Sequence, residues 1–214
     1  MARRPKPAGH YRRRRPVREP YDLVLIVCEG EKTEPEYFRG LRRACRLSSA
    51  NIMIVPSHYG NDPVSLVRFA IDKYREDKGL YSRMYCVFDR NGHAGYQQAL
   101  DLVANARLGR TGKLFATTSI PCFEVWVLLH FHYSTAAFTP VGTKSGCDRV
   151  IDAIKTHLPE YQKAFLEVFD RLHPNIDTAI SNAQKLSTHN AATTSTNPAT
   201  RVHELVQYLR GLKP

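Results

Sequence analysis

Three acidic residues stand at or just beyond the ends of apolar, strand-like runs. Glu29 follows LVLIVC, Asp89 ends MYCVFD, and Glu124 comes four residues after LFATTSI. Parallel strands of an open α/β sheet present functional side chains at their carboxyl ends. Carboxylates on adjacent strand ends supply the oxygen ligands that Mg²⁺ and Mn²⁺ prefer. We therefore predict a Mg²⁺ or Mn²⁺ site held by these three residues, where metal ions would activate a water for phosphodiester cleavage.

Four polar residues lie close in sequence to these carboxylates. Asn91 is predicted as an auxiliary metal ligand, and Lys32 as a point charge that contacts a phosphate. His93 is a candidate general base or outer partner of the metal site, and Arg90 a candidate phosphate contact. Each also has a structural interpretation, because Asn91 precedes a glycine in a common turn dipeptide and His93 suits an exposed loop.

Strand and helix signals alternate as far as residue 120. We predict strands at 21–28, 51–57, 83–88 and 113–120, with helices at about 34–47, from 63, and at 95–107. Strands separated by helices of this length indicate a parallel sheet with right-handed crossovers. Asp62 is predicted to cap the helix that Pro63 opens. Thr33 and Glu36 fit a capping box, so Glu34 and Glu36 are interpreted as structural.

Beyond Pro121 the pattern becomes helical. The segment 123–131 is apolar on nearly every side, which predicts a buried helix with Trp126 in the core. Residues 139–146 read as a loop, and residues 147–172, 176–187 and 198–212 as three further helices. The polar segment 188–196 is predicted to be a linker.

Charge and composition bound the class of protein. The chain has 214 residues and a net charge of +11, and residues 1–20 carry seven Arg and one Lys against one Glu. We predict a disordered basic tail over 1–20, which either binds nucleic acid through Arg12, Arg13, Arg14 and Arg15 or serves as a solubilising tail. Five cysteines without C-x-x-C spacing and no apolar run of about 18 residues predict a reduced, cytoplasmic protein that is not in a membrane.

Four motifs resemble the RloB family, and the resemblance runs from Leu23 to Leu209. They are CEGEKTEPEYF (28–38), VFDRNGH (87–93), SIPCFEVWVLLHF (119–131) and NPATRVHELV (197–206). RloB proteins are similar to enzymes with the TOPRIM fold. The resemblance therefore implies an α/β fold with a TOPRIM-like parallel sheet flanked by helices over residues 21–135. A C-terminal helical extension over 136–214 would pack on this core.

The resemblance also implies residue roles. In TOPRIM enzymes a glutamate follows the first strand and an Asp-x-Asp pair follows the third. Glu29 and Asp89 match the glutamate and the first aspartate, whereas Asn91 replaces the second aspartate with a neutral amide. This replacement either weakens the metal site or shifts the metal-binding load to Glu124, Glu31 or His93. The predicted catalytic set is Glu29, Asp89, Glu124, His93 and Lys32.

These features together predict a function and an alternative. The resemblance implies a metal-dependent nuclease of a prokaryotic anti-phage, abortive-infection system, akin to the second component of AbiL systems. It would cleave RNA, with tRNA among the candidates, or DNA. The chain has no G-x-x-x-x-G-K-[ST] motif, so an ABC- or AAA-type ATPase partner would hydrolyse ATP. The alternative is a non-catalytic nucleic-acid-binding or scaffold subunit, and a homodimer is left open.

Overall fold

The computed structural model describes residues 23–48, 50–54, 62–90, 94–109, 112–165 and 167–212, with residues 51–54 described by their backbone. The predicted basic tail with its arginines at 12–15 lies outside these ranges, as do Asn91 and His93. Within the described ranges, no helix combines the length and the apolar character that crossing a membrane requires.

A five-stranded sheet lies at the centre of the fold. Its strands are β1 (Val24–Cys28), β2 (Ala50–Ile54), β3 (Arg83–Asp89), β4 (Lys113–Ile120) and β5 (Ala199–Thr200). They follow the order β2-β1-β3-β4-β5; the first four are parallel, and β5 runs antiparallel to β4. The predicted α/β class is confirmed, and β4 has the predicted bounds.

Helices follow the strands along the chain. They are α1 (Thr33–Ala44), α2 (Pro63–Glu76), α3 (Tyr96–Asn105), α4 (Glu124–Leu128), α5 (Gly146–Lys155), α6 (Val168–Leu172), α7 (Ile176–Thr193) and α8 (Val202–Gly211), with a 3₁₀ turn at His173–Asn175.

Each face of the sheet carries its own apolar core. Because successive strand residues point to opposite faces, Ile26 joins the core built with α1, α4, α5, α6, α7 and α8, whereas Leu25 joins the core built with α2 and α3. All five residues of β1 are buried, as expected of a parallel strand covered on both sides. Trp126 is fully buried in the first core, as predicted.

The two predicted helix caps have different outcomes. Asp62 caps α2, because its Oδ1 accepts from the backbone amides of Val64 and Ser65. The capping box at Thr33 was wrong. Thr33 already lies inside α1, and its hydroxyl accepts from the amide of Ala164, 131 residues away.

The C-terminal third departs most from the predictions. The single helix predicted over 147–172 is two helices, α5 and α6, and Ala164 between them has a left-handed backbone with φ of 69°. The predicted linker at 188–196 was wrong up to Thr193, because α7 continues to that residue. β5 was not predicted; two residues carry too little pattern, and pairing with β4 defines the strand.

Candidate functional site

The carboxyl ends of β1 and β3 form the topological switch point of the sheet. From β1 the chain crosses to β2 through α1 on one face, and from β2 to β3 through α2 on the other face. Crossovers that leave in opposite directions open a crevice at the strand ends, where open α/β sheets bind ligands. Glu29 and Asp89 stand at this point, directly after β1 and at the end of β3.

A cavity of about 330 Å³ lies at this edge, and we name it the acidic cavity. Its acidic side chains come from the segment after β1, from α1, from β3 and from α4. They are Glu31, Glu34, Asp89 and Glu124, and Lys32 and Lys163 also line the cavity. The structure thus brings predicted Asp89, Glu124 and Lys32 together, with Glu29 one residue outside the lining.

Glu29 is turned toward β3. Its backbone amide donates to the carbonyl of Val87 at 3.0 Å, and its Oε2 accepts from the amide of Asp89 at 3.3 Å. The carboxylate therefore bridges the ends of β1 and β3. It is also close enough to Glu34 to raise the pKa of that carboxyl.

Glu34, interpreted from the sequence as a structural residue, is a buried acid of the acidic cavity. Its side chain is buried, with 5% exposed, and its Oε2 accepts from the amide of Gly30 at 3.0 Å. Burial, and then the carboxylates of Glu29 and Glu124, raise its pKa to about 8. A sequence signal existed, since Glu34 shares the i, i+3, i+4 face of buried Tyr37 and Phe38.

Asp89, which is half-buried, and Glu124 complete this group of acids. Burial, followed by the carboxylates of Glu34 and Glu124, raises the pKa of Asp89 well above its usual range, while a hydrogen bond from the Phe123 backbone acts against this shift. Glu124 opens α4 and is 4% exposed. Three acids therefore share one small, desolvated space.

Lys163 supplies a positive charge from the connection between α5 and α6. Partial burial opposes its charged form, but the carboxylate of Glu124 and the neighbouring thiols outweigh this and raise the pKa of Lys163. The next residue, Ala164, donates its amide to Thr33 Oγ1 at 3.0 Å, which fixes the segment to the start of α1. No local pattern could have found this residue, because the contact joins distant parts of the chain.

Two thiols lie beside the acids. Cys122 and Cys147 are buried free thiols that hydrogen-bond to each other. This bond, then burial and the carboxylate of Glu124, raise the pKa of Cys122, and the same bond lowers the pKa of Cys147. Their spacing of 25 residues explains why a search for C-x-x-C motifs missed the pair.

The acids suit a hard divalent cation by their chemistry. Burial, and after it the neighbouring carboxylates, raise the pKa of Glu34 and Asp89, so a positive charge in this space would be favourable. Among the described residues no three His, Cys, Asp or Glu side chains converge as a ready metal site. Binding would therefore require these carboxylates to rotate toward a common point.

Arg90 lies outside the acidic cavity. Its side chain is exposed, and its Nη1 donates to Thr196 Oγ1 at 3.4 Å. Asn91 and His93 follow it but lie outside the described residues, so their predicted roles stay predictions.

Fold and site together define a parallel α/β protein with an acidic cavity at its switch point. The family model described as RloB-like protein matches residues 24–209, and the chain belongs to this family. No curated protein and no solved structure matches the chain.

Proposed function

We propose that this protein is a metal-dependent nuclease with a TOPRIM-like core. The main support is that Glu34, Asp89 and Glu124, from α1, β3 and α4, line one cavity at the switch point. Asp89 and Glu124 would hold Mg²⁺ or Mn²⁺, with Glu29 as a further carboxylate. Bound there, the metal supplies an activated water and stabilises the leaving oxygen of a phosphodiester.

The remaining cavity residues would handle the charge of the substrate. Lys32 and Lys163 are exposed at the rim of the acidic cavity, where their ammonium groups can contact phosphate oxygens. Glu34, with its pKa raised to about 8, holds a proton at neutral pH. The cavity then repels a phosphate less than three ionised acids would.

The proposed biological setting rests on what the family resemblance implies. Membership of the RloB-like family supports an effector role in prokaryotic anti-phage defence, with RNA (tRNA among the candidates) or DNA as substrate. Because the sequence lacks a P-loop, we propose that a separate ABC- or AAA-type ATPase controls the nuclease.

A cleavage assay tests the proposed reaction. The full chain, alone and with the proposed ATPase partner, is incubated with tRNA, single-stranded RNA and DNA in Mg²⁺, Mn²⁺ or EDTA. We expect cleavage that requires the metal and is lost in Glu124→Gln. Glu167→Gln, an exposed acid at the start of α6, is the matched control and should cleave normally. Intact substrates in every combination, or equal cleavage in EDTA, would rule out the proposal.

A second candidate function has its own observation. Four arginines line one surface at the end of α1: Arg39, Arg42, Arg43 and Arg46, which we name the arginine surface. Because α1 returns from the carboxyl edge of β1, this surface lies at the opposite edge of the sheet from the acidic cavity. A basic surface remote from the acids favours a nucleic-acid-binding subunit without catalysis.

Calorimetry of Mn²⁺ binding separates the two candidates. The nuclease requires heat of binding in the unmodified protein and its loss in Asp89→Asn. The binding subunit requires no Mn²⁺ binding by either protein, together with nucleic-acid affinity that falls in Arg43→Ala.

A further inference from the structure

A second cavity of about 520 Å³ adjoins the acidic cavity, and we name it the Arg90 cavity. Its charged, apolar and polar lining includes Arg90, Ile120, Pro121, Phe138, Pro140 and Thr196. Two of the strands that build the acidic cavity also build this one. Arg90 directly follows Asp89, and Pro121 comes three residues before Glu124. Residues that are consecutive or close in sequence therefore line the two cavities.

The wall of the Arg90 cavity is fixed in place by contacts between distant segments. The Asn197 side chain holds the backbone of Phe138 at two points: Nδ2 donates to its carbonyl at 3.1 Å, and Oδ1 accepts from its amide at 3.2 Å. Arg149 Nη1 donates to the carbonyl of Thr139 at 3.0 Å. The cavity is thus preformed, and a ligand loses little free energy in ordering it.

The segment that follows Pro140 forms a turn at residues 141–144. Val141 and Lys144 exchange two backbone hydrogen bonds of 3.0 and 3.1 Å, with Gly142 in the left-handed region at φ 59°. Lys144 Nζ pairs with Asp152 of α5 at 2.6 Å. The turn is therefore held against α5.

The lining combines two kinds of chemistry. Phe138, Ile120 and Pro121 are half-buried and present apolar surface. The exposed guanidinium of Arg90 lies beside them. Within the described residues its Nη1 donates a hydrogen bond of 3.4 Å to Thr196 Oγ1. A guanidinium suits a phosphate, whereas an apolar wall with an aromatic ring suits the flat face of a base. A free phosphate would leave the wall unused, and an apolar ligand would leave the guanidinium unused.

We propose that the Arg90 cavity binds an unpaired nucleotide, with its base against Phe138 and Pro121 and its phosphate on Arg90. The claim that this nucleotide lies next to the bond to be cleaved rests on the proposed nuclease function. The claim that the Arg90 cavity binds a nucleotide is independent of that function. The Arg90 cavity then selects strands whose base is free to leave a stack. The substrate class is single-stranded or looped nucleic acid.

The test measures binding without catalysis. Fluorescein-labelled trinucleotides of RNA and DNA, intact or with an abasic central unit, are titrated into the full chain in EDTA by fluorescence anisotropy. We expect the abasic unit to weaken binding about fivefold or more, as loss of one base–aromatic stack does. Phe138→Leu should abolish this difference, and Thr196→Trp, which fills the cavity from an exposed position, should weaken binding of the intact trinucleotide.

Controls keep the result specific. Tyr133→Leu changes an aromatic side chain that is 38% exposed and lies outside the lining, and it should keep the difference between intact and abasic trinucleotides. Equal affinity for the two trinucleotides in the unmodified protein, or the same loss in Tyr133→Leu as in Phe138→Leu, would overturn the proposal. Unchanged binding in Thr196→Trp would do so as well.

The two proposals can fail separately. Discrimination against the abasic trinucleotide without any metal-dependent cleavage would remove the nuclease and keep the nucleotide site. Metal-dependent cleavage without discrimination would remove the nucleotide site and keep the nuclease.

Discussion

The acidic cavity and the Arg90 cavity share the ends of β3 and β4 but have opposite character. The first collects buried carboxylates, and the second has an exposed guanidinium beside an apolar wall. At the end of β3 the pair Asp89-Arg90 divides between them, since Asp89 lines the acidic cavity and Arg90 lines the Arg90 cavity. One sheet edge can therefore hold two sites of different chemistry, one suited to a cation and one to a nucleotide.

The largest effect expected is the loss of cleavage in Asp89→Asn. The amide retains an oxygen ligand but removes a negative charge from the acidic cavity, so cleavage in Mg²⁺ should fall by about a thousandfold, as for other losses of transition-state stabilisation. Trinucleotide affinity in EDTA should stay the same. Asp101→Asn, on the exposed face of α3, is the control. A loss of both properties would show that the cavities do not act separately.

The next effect concerns stability, and its sign follows from the raised pKa of Glu34. The folded pKa of about 8 lies above the unfolded value, so between these values the folded state keeps a proton that the unfolded state has released. The free energy of unfolding therefore falls as the pH rises from about 4.3 toward 8. Glu34→Gln lacks this loss. The difference in the free energy of unfolding between Glu34→Gln and the unmodified protein should therefore shift in favour of the variant by on the order of 3 kcal/mol between pH 5 and pH 8.

Urea unfolding at several pH values measures this gain. Glu167→Gln, an exposed glutamate, should follow the pH dependence of the unmodified protein. A stability difference between Glu34→Gln and the unmodified protein that does not change with pH would contradict the assignment of Glu34 to the acidic cavity.

Lys163→Ala should separate two properties of the acidic cavity. Removing the ammonium takes away a phosphate contact, so cleavage should fall about a hundredfold, at the low end for one stabilising group. It also removes a competing positive charge, so Mn²⁺ should bind more tightly. Calorimetry and initial rates measure the two changes, with Lys155→Ala, an exposed lysine of α5, as the control. Weaker Mn²⁺ binding would place Lys163 in a structural role.

The smallest effect is expected in the Arg90 cavity. Arg90→Ala should weaken single-stranded oligonucleotide binding by a few-fold and lower the slope of log K against log salt by about 0.7, the value for one phosphate contact. Mn²⁺ affinity should not change. Arg75→Ala removes an exposed arginine that pairs with Asp72 on α2 and serves as the control. An unchanged slope would place the phosphate elsewhere.

Local sequence patterns determined the frame of this protein. Buried apolar runs predicted four parallel strands, and Asp62 with Pro63 predicted the start of α2, because strand burial and helix capping depend on residues close in sequence. For the same reason the apolar runs that precede Glu29 and Asp89 were enough to place both acids at strand ends. The family assignment also followed from motifs alone, and the family model confirms it.

Only the tertiary structure decided how the two cavities are completed. Lys163 reaches the acidic cavity because Ala164 bonds to Thr33, and Phe138 forms the wall of the Arg90 cavity because Asn197 holds it from 59 residues away. Glu34 is a buried acid whose pKa is raised by burial and then by Glu29 and Glu124, and Glu124 comes from α4, 90 residues away. Such contacts join segments that no local pattern relates. The sequence thus determined which strand ends carry acids, and the packing of the C-terminal half decided what surrounds them.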